Sequence, residues 1–163
     1  MLELPSGCGT VERNGKFLRR CGGAFYEERF EGDRLVYTVV QWSPRMEMRV
    51  EGALLMARMV SDDCSRDTLM GLPGMVRRAV AEHGCTAAFV DMTALDGPID
   101  PVDRIFLASR LAEVWPTGVR LAALALPHQV NRVIENIASS RGVDVRAFTD
   151  RDEALAWLQL APR

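Results

Sequence analysis

From about residue 61 to the end of the chain, short apolar segments of strand length alternate with longer segments carrying apolar residues at helical spacing. This alternation constrains the fold more than any other feature. Strands separated by helices cannot close as hairpins, so they lie parallel and are joined by right-handed crossovers. The first helix carries Leu69, Leu72, Val76, Ala79 and Val80 on one face; Asp62-Asp63-Cys64-Ser65 supplies its capping residues and Gly84 its stop. Pro73-Gly74 inside it predicts a kink or a division into two short helices. Residues 86–92 read as a compact apolar strand, and 94–101 as a turn-rich loop. A second helix follows, with Val102, Ile105, Phe106, Ala108, Leu111, Ala112 and Trp115 as its apolar positions. Residues 119–126 are nearly all apolar, as in a strand covered on both faces. A third helix is marked by Val130, Val133, Ile134, Ile137 and Ala138, with Gly142 as its stop. Residues 145–148 form a short strand, and Asp150 caps a last helix with Ala154, Leu155, Trp157 and Leu158 on its face.

Upstream the pattern differs. Residues 1–30 scatter glycines among charges without a sustained period, which predicts a loosely ordered N-terminal arm with one edge strand around 24–30. Residues 35–42 are β-branched and aromatic, 46–50 alternate apolar and charged, and 53–60 are apolar, which together predict a small antiparallel meander. The expected organisation is an arm over 1–30 and one α/β domain over 31–163. That domain has a mixed, largely parallel central sheet with flanking helices and antiparallel N-terminal strands.

The 163 residues can bury a proper core, and 48% hydrophobic with 26% charged residues is an ordinary globular composition. A formal net charge of −2 argues against a nucleic-acid binder. Lys16 is the single lysine among 20 basic residues, which reads as codon bias before it reads as an arginine surface. No apolar run approaches the roughly 20 residues of a membrane span, and the first residues show no basic-then-apolar secretory pattern, so a cytoplasmic protein is expected. Cys8, Cys21, Cys64 and Cys85 form no C-x-x-C pair and no zinc-type spacing with His83 or His128. A disulfide framework is possible on count, but four unrelated thiols suit a reducing cytosol better. Neither a Gly-rich phosphate loop nor a G-x-S-x-G elbow occurs, and no metal or cofactor is expected.

Three stretches carry a resemblance to a known family: Ala88-Phe89-Val90-Asp91-Met92-Thr93-Ala94-Leu95, then Gly118-Val119-Arg120-Leu121-Ala122-Ala123-Leu124-Ala125, and Val145-Arg146-Ala147-Phe148-Thr149-Asp150 followed by Glu153-Ala154-Leu155-Ala156-Trp157-Leu158. Over about residues 50–160 the chain resembles the STAS superfamily, in particular its SpoIIAA-like branch related to bacterial anti-sigma-factor antagonists. The resemblance implies a mixed sheet flanked by helices, no enzyme activity, and regulation through protein–protein contact, with switching by phosphorylation of a serine in an Asp-Ser-Ser-Gly stretch. This chain departs from that pattern. Asp91 matches the strand-end aspartate and Asp100 lies near the aspartate of the switch, but Pro101, Val102 and Asp103 follow it and the acceptor serine is missing. Asp100 is read first as an N-cap with Pro101 at the first helical position; the alternative is a permanent charge standing in for phosphate.

Asp91, Thr93, Asp96, Asp100 and Asp103 gather around one loop at the carboxyl edge of the expected sheet, where ligands of open α/β folds bind. His128, with Asn131 and Arg132 after it, opens onto the same edge, and together they could make a polar site for an anion. Turn and cap roles are the plainer reading of the aspartates, and an exposed helix start that of His128. The expected function is a non-enzymatic interaction module that docks an unknown regulator protein, or a second copy as a homodimer, through residues 93–103 and the adjoining helix. The alternative is a small-molecule or lipid-binding domain with an apolar pocket between helices and sheet. A metal-dependent enzyme built on the aspartates and His128 ranks last.

Overall fold

The computed structural model describes residues 4, 6–13, 16–21, 24–40, 46–60, 66–95 and 97–159. The chain divides into two compact units, Met1–Ser43 and Pro44–Arg163.

The first unit is an antiparallel meander, β1 (Gly9–Arg13), β2 (Lys16–Cys21), β3 (Ala24–Glu31) and β4 (Arg34–Val40), hydrogen-bonded in that order. The expected loose arm over 1–30 is therefore three paired strands, and β3, expected at an edge, is paired on both sides. Charged side chains stand on both faces of these short strands, so the apolar alternation that betrays a strand is absent. Leu18 and Phe25 are the buried apolar residues of this sheet among those described. Its surface is laced by exposed pairs. Arg19 Nε donates to Glu28 at 2.7 Å and its Nη1 to Thr10 Oγ1 at 2.8 Å. The Arg29 guanidinium, with Lys16 second, holds the Glu27 carboxyl below its usual range. Exposed pairs of this kind fix register more than they stabilise. At the β3–β4 turn Gly32 takes φ 64°, a left-handed conformation that a two-residue hairpin turn demands.

The expectation of four unrelated thiols is corrected here: Cys8 and Cys21 form a disulfide. The reason lies in the register. Gly9 pairs with Arg20, so the residue before β1 faces the last residue of β2, and the two Cα atoms lie 4.4 Å apart, within bonding range. Cys85 is free and buried; Cys64 lies outside the described residues.

The second unit is a mixed α/β fold. In chain order it contains β5 (Met46–Glu51), β6 (Leu54–Met59), α1 (Arg66–His83), β7 (Ala87–Asp91), α2 (Pro101–Val114), β8 (Arg120–Leu124), α3 (Val133–Ser140), β9 (Val145–Phe148) and α4 (Arg151–Gln159). The sheet runs β5-β6-β7-β8-β9; β5 is antiparallel to β6 and the remaining neighbours are parallel. The expected three-strand meander is thus split, because β4 pairs with β3 whereas β5 and β6 form a hairpin of the second sheet.

Each new strand is added on the same side, so right-handed crossovers place α1, α2 and α3 on one face. Leu55, Ala57, Ala88, Val90, Leu121 and Val145 point to that face and pack with Val76, Val80, Leu111, Trp115 and Ala138 of the three helices. On the other face Met56, Phe89, Ala122, Leu124 and Phe148 pack against Ala154 and Leu158 of α4, whose first turn Asp150 caps by accepting the Glu153 N–H at 2.9 Å. The α1 face reads as expected, with Leu69, Leu72, Val76, Ala79 and Val80 buried. Pro73 does not divide α1, which stays continuous up to Gly84 at φ 62°. Its capping segment, 62–65, lies outside the described residues. No helix among the described residues is long and apolar enough to cross a membrane.

Candidate functional site

Between the helix layer and the sheet of the second unit lies a cavity of about 100 Å³. The alternation of β8 and β9 creates it. Leu121, Ala123 and Ala125 of β8 and its extension, with Val145 and Ala147 of β9, face the helices, and toward the carboxyl ends of the strands these positions are alanines. Their methyl groups stop short of the helices, leaving Ala123 and Ala147 only part-buried. Leu72, Pro73 and Val76 of α1, Leu107 and Leu111 of α2, and Trp115 at the C-cap of α2 form the opposite wall. Trp115 Nε1–H donates to the Val119 carbonyl at 2.8 Å, which satisfies its polar end and fixes the ring at the wall.

Polar groups are confined to one end, where the loop from β8 to α3 passes. Gln129 is buried there and fully engaged. Its Nε2 donates to the carbonyls of Leu95 and Gly97, its Oε1 accepts from Leu126 N–H at 3.3 Å, and its backbone carbonyl accepts from Arg104 Nη1. Asn131 Oδ1 accepts from Val133 N–H at 3.2 Å, starting the α3 turn. Glu135 Oε1 accepts from Ala147 N–H, tying α3 to β9. Arg132, exposed at the N-cap of α3, holds φ 57°, the one non-glycine in the left-handed region among the described residues. Such strain concentrates at functional sites.

The residues singled out from sequence are placed as follows. Asp91 accepts from both the backbone N–H (2.9 Å) and the hydroxyl (2.6 Å) of Thr93, a local turn. Asp100 caps α2 by accepting from Val102 N–H at 2.7 Å, with Pro101 in the first turn. Asp103 pairs with Arg66 at 2.5 Å, and Asp96 lies outside the described residues. His128 sits exposed in a 3-10 turn, Pro127–Gln129. The carboxylates are thus engaged one by one, and among the described residues no three His, Cys, Asp or Glu side chains gather as metal ligands. Of the predicted site residues, Arg132 lines the cavity, with the neighbouring Asn131, and the aspartates, Thr93 and His128 do not appear among its described lining.

The apolar face expected for α2 is corrected in part. Val102, Ile105 and Phe106 are each about half exposed, at 49–50%, and the buried face is Arg104, Leu107, Ala108 and Leu111. Arg104 is only 8% exposed, and no carboxylate pairs with it among the described residues. Sequence reading missed Arg104, Gln129 and Glu135. The available signal was spacing: Arg104 lies three, four and seven residues before Leu107, Ala108 and Leu111.

On the opposite face, β5, β6 and β7 leave a groove of about 470 Å³, partly polar, in which Arg58 pairs with Glu47 at 2.8 Å and Arg151 lies 5.1 Å above the Phe89 ring. Its charges are largely matched within the chain. No protein-family model and no curated protein matches this chain.

Proposed function

We propose that the Pro44–Arg163 unit is a non-catalytic binding domain that holds a small apolar molecule between its helices and its sheet. One observation carries this reading. Protein interiors pack with few voids larger than a water molecule, yet here a partly open pocket of about 100 Å³ separates the helices from the sheet, walled by apolar side chains and polar at one end only. Apolar cavities of about 150 Å³ stay dry and take up benzene. Among the described residues, those lining the cavity include no Ser, Thr, Cys or His, and the one carboxylate, Glu135, accepts from the Ala147 N–H, which favours binding over nucleophilic chemistry. The STAS-like order of strands and helices supports the same non-enzymatic reading. The proposal keeps the cytosolic location expected from sequence, where Cys8 and Cys21 would stand as thiols, and no nucleic-acid or membrane partner.

Ala123→Leu tests it by filling the cavity from its floor. In the wild type, benzene and hexan-1-ol are expected to shift the methyl NMR signals of Leu111, Ala123 and Val145. In the variant those shifts vanish while the melting temperature holds or rises, because the added carbons occupy free space. A wild-type spectrum indifferent to both probes overturns the reading.

A second reading, a docking face for another copy of the chain, rests on the outward stripe Val102, Ile105 and Phe106 of α2. Arg66 lies 5.1 Å over the Phe106 ring and is held there by Asp103, a polar border to an apolar stripe. Sedimentation velocity is expected to show a concentration-dependent dimer that Phe106→Ser converts to monomer. A wild type that is monomeric up to high micromolar concentration removes this reading.

A further inference from the structure

We infer that the ligand is a small apolar monocarboxylate, with its apolar body in the cavity and its carboxylate at the α3 end, held by Arg132; this rests on the cavity reading above. Four features converge on one anion. Arg132 is among the residues that line the cavity, and no acidic partner engages it among the described residues. Arg104, buried behind Gln129, has a carbonyl as its side-chain partner and, among the described residues, no carboxylate, although buried charges are normally paired. The backbone N–H groups of Ile134 and Glu135 lie in the first turn of α3, ahead of the first intrahelical bond, from Asn136 N–H to the Arg132 carbonyl. Finally, the wall behind these groups is apolar, so a bound molecule must join an apolar body to a charged head.

The charges on the wall select the head. Among the described residues lining the cavity Arg132 is the one cation and Glu135 the one carboxylate, an arrangement that suits a single negative charge better than a phosphate dianion. Volume selects the body. About 100 Å³ takes a phenyl ring or a short alkyl chain rather than a long acyl chain.

Calorimetric titration of the full chain with hexanoate, hexan-1-ol and hexyl phosphate separates the possibilities. Hexanoate is expected to bind about tenfold or more tightly than hexan-1-ol at low salt. Arg132→Gln erases that advantage and leaves hexan-1-ol affinity unchanged, while Arg132→Lys restores part of it. Arg132 is exposed and makes no side-chain bond to another element among the described residues, and retained hexan-1-ol binding reports that the variant is folded. Equal affinity for acid and alcohol in the wild type overturns the carboxylate assignment and spares the cavity. Tighter binding of hexyl phosphate than of hexanoate overturns the monoanion class. Binding of none of the three overturns this inference together with the cavity reading.

Discussion

Breaking the Cys8–Cys21 bond is expected to lower the stability of the Met1–Ser43 unit by about 3 kcal/mol, enough to melt most of it. The bond closes a loop with a sequence separation of 13, and a cross-link of roughly that length removes about that much chain entropy from the unfolded state. The unit cannot absorb the loss elsewhere. Chains of this size bury too little apolar surface to be stable without a staple, and Leu18 and Phe25 are the buried apolar side chains of this sheet. Limited proteolysis and amide hydrogen exchange, with and without reductant, read the effect. New cuts and lost protection should fall within 1–43, whereas the amides of β6 to β9 stay protected by their own helix-covered core. An unchanged digest in reductant sinks the prediction. The same pair tests the proposed location. Thiol alkylation of rapidly quenched cells should label Cys8 and Cys21 if the chain resides in the cytosol; a fully bonded pair would place it in an oxidising compartment.

What was legible in the sequence follows the physics of each segment. Where one face is buried and the other wet, period and fold agree, as for Leu69, Leu72, Val76, Ala79 and Val80 of α1. The cap of α4 by Asp150 and the apolar strand β8 are equally plain, since each is a local signal. The first unit was opaque because charges on both faces of thin strands erase the period of two. Its signal was the recurrence of two-residue turn dipeptides, Asn14-Gly15, Gly22-Gly23 and Gly32-Asp33. The disulfide was hidden for the same reason, since only the β1–β2 register brings Cys8 opposite Cys21.

In α2 two overlapping stripes compete. Both contain Ala108 and Leu111, and the one with Val102, Ile105 and Phe106 is more apolar than the one with Arg104 and Leu107. The less apolar stripe faces inward because the Gln129 carbonyl accepts from the buried guanidinium. The cavity could not be read at all. It arises where alanines of two strands meet the span of three helices, and no sequence window contains both.

Gln129→Leu is the substitution that should most disturb the second unit without creating a large hole. The amide of Gln129 serves three backbone groups, the Leu126 N–H and the carbonyls of Leu95 and Gly97, which belong to the loops after β8 and β7. Leucine matches much of its volume and none of its hydrogen bonds. Each buried backbone group left unpaired costs about 1–3 kcal/mol, and partial access of water to the Gly97 carbonyl lowers its share. The expected total is about 3 kcal/mol, a fall in melting temperature of roughly 10 °C for a unit of this size. Urea unfolding followed by tryptophan fluorescence in a Trp42→Phe background measures it, since Trp115 and Trp157 then both report on the second unit. A loss below about 0.5 kcal/mol would mean that the loops re-pair with each other or with solvent, and that Gln129 is not what joins them. Binding should respond as well. Gln129 lines the same end of the cavity as Arg132, three residues further on, so loosening this loop displaces the cation proposed to hold an anionic head at the α3 end. Hexanoate affinity is therefore expected to fall in Gln129→Leu while hexan-1-ol affinity changes little.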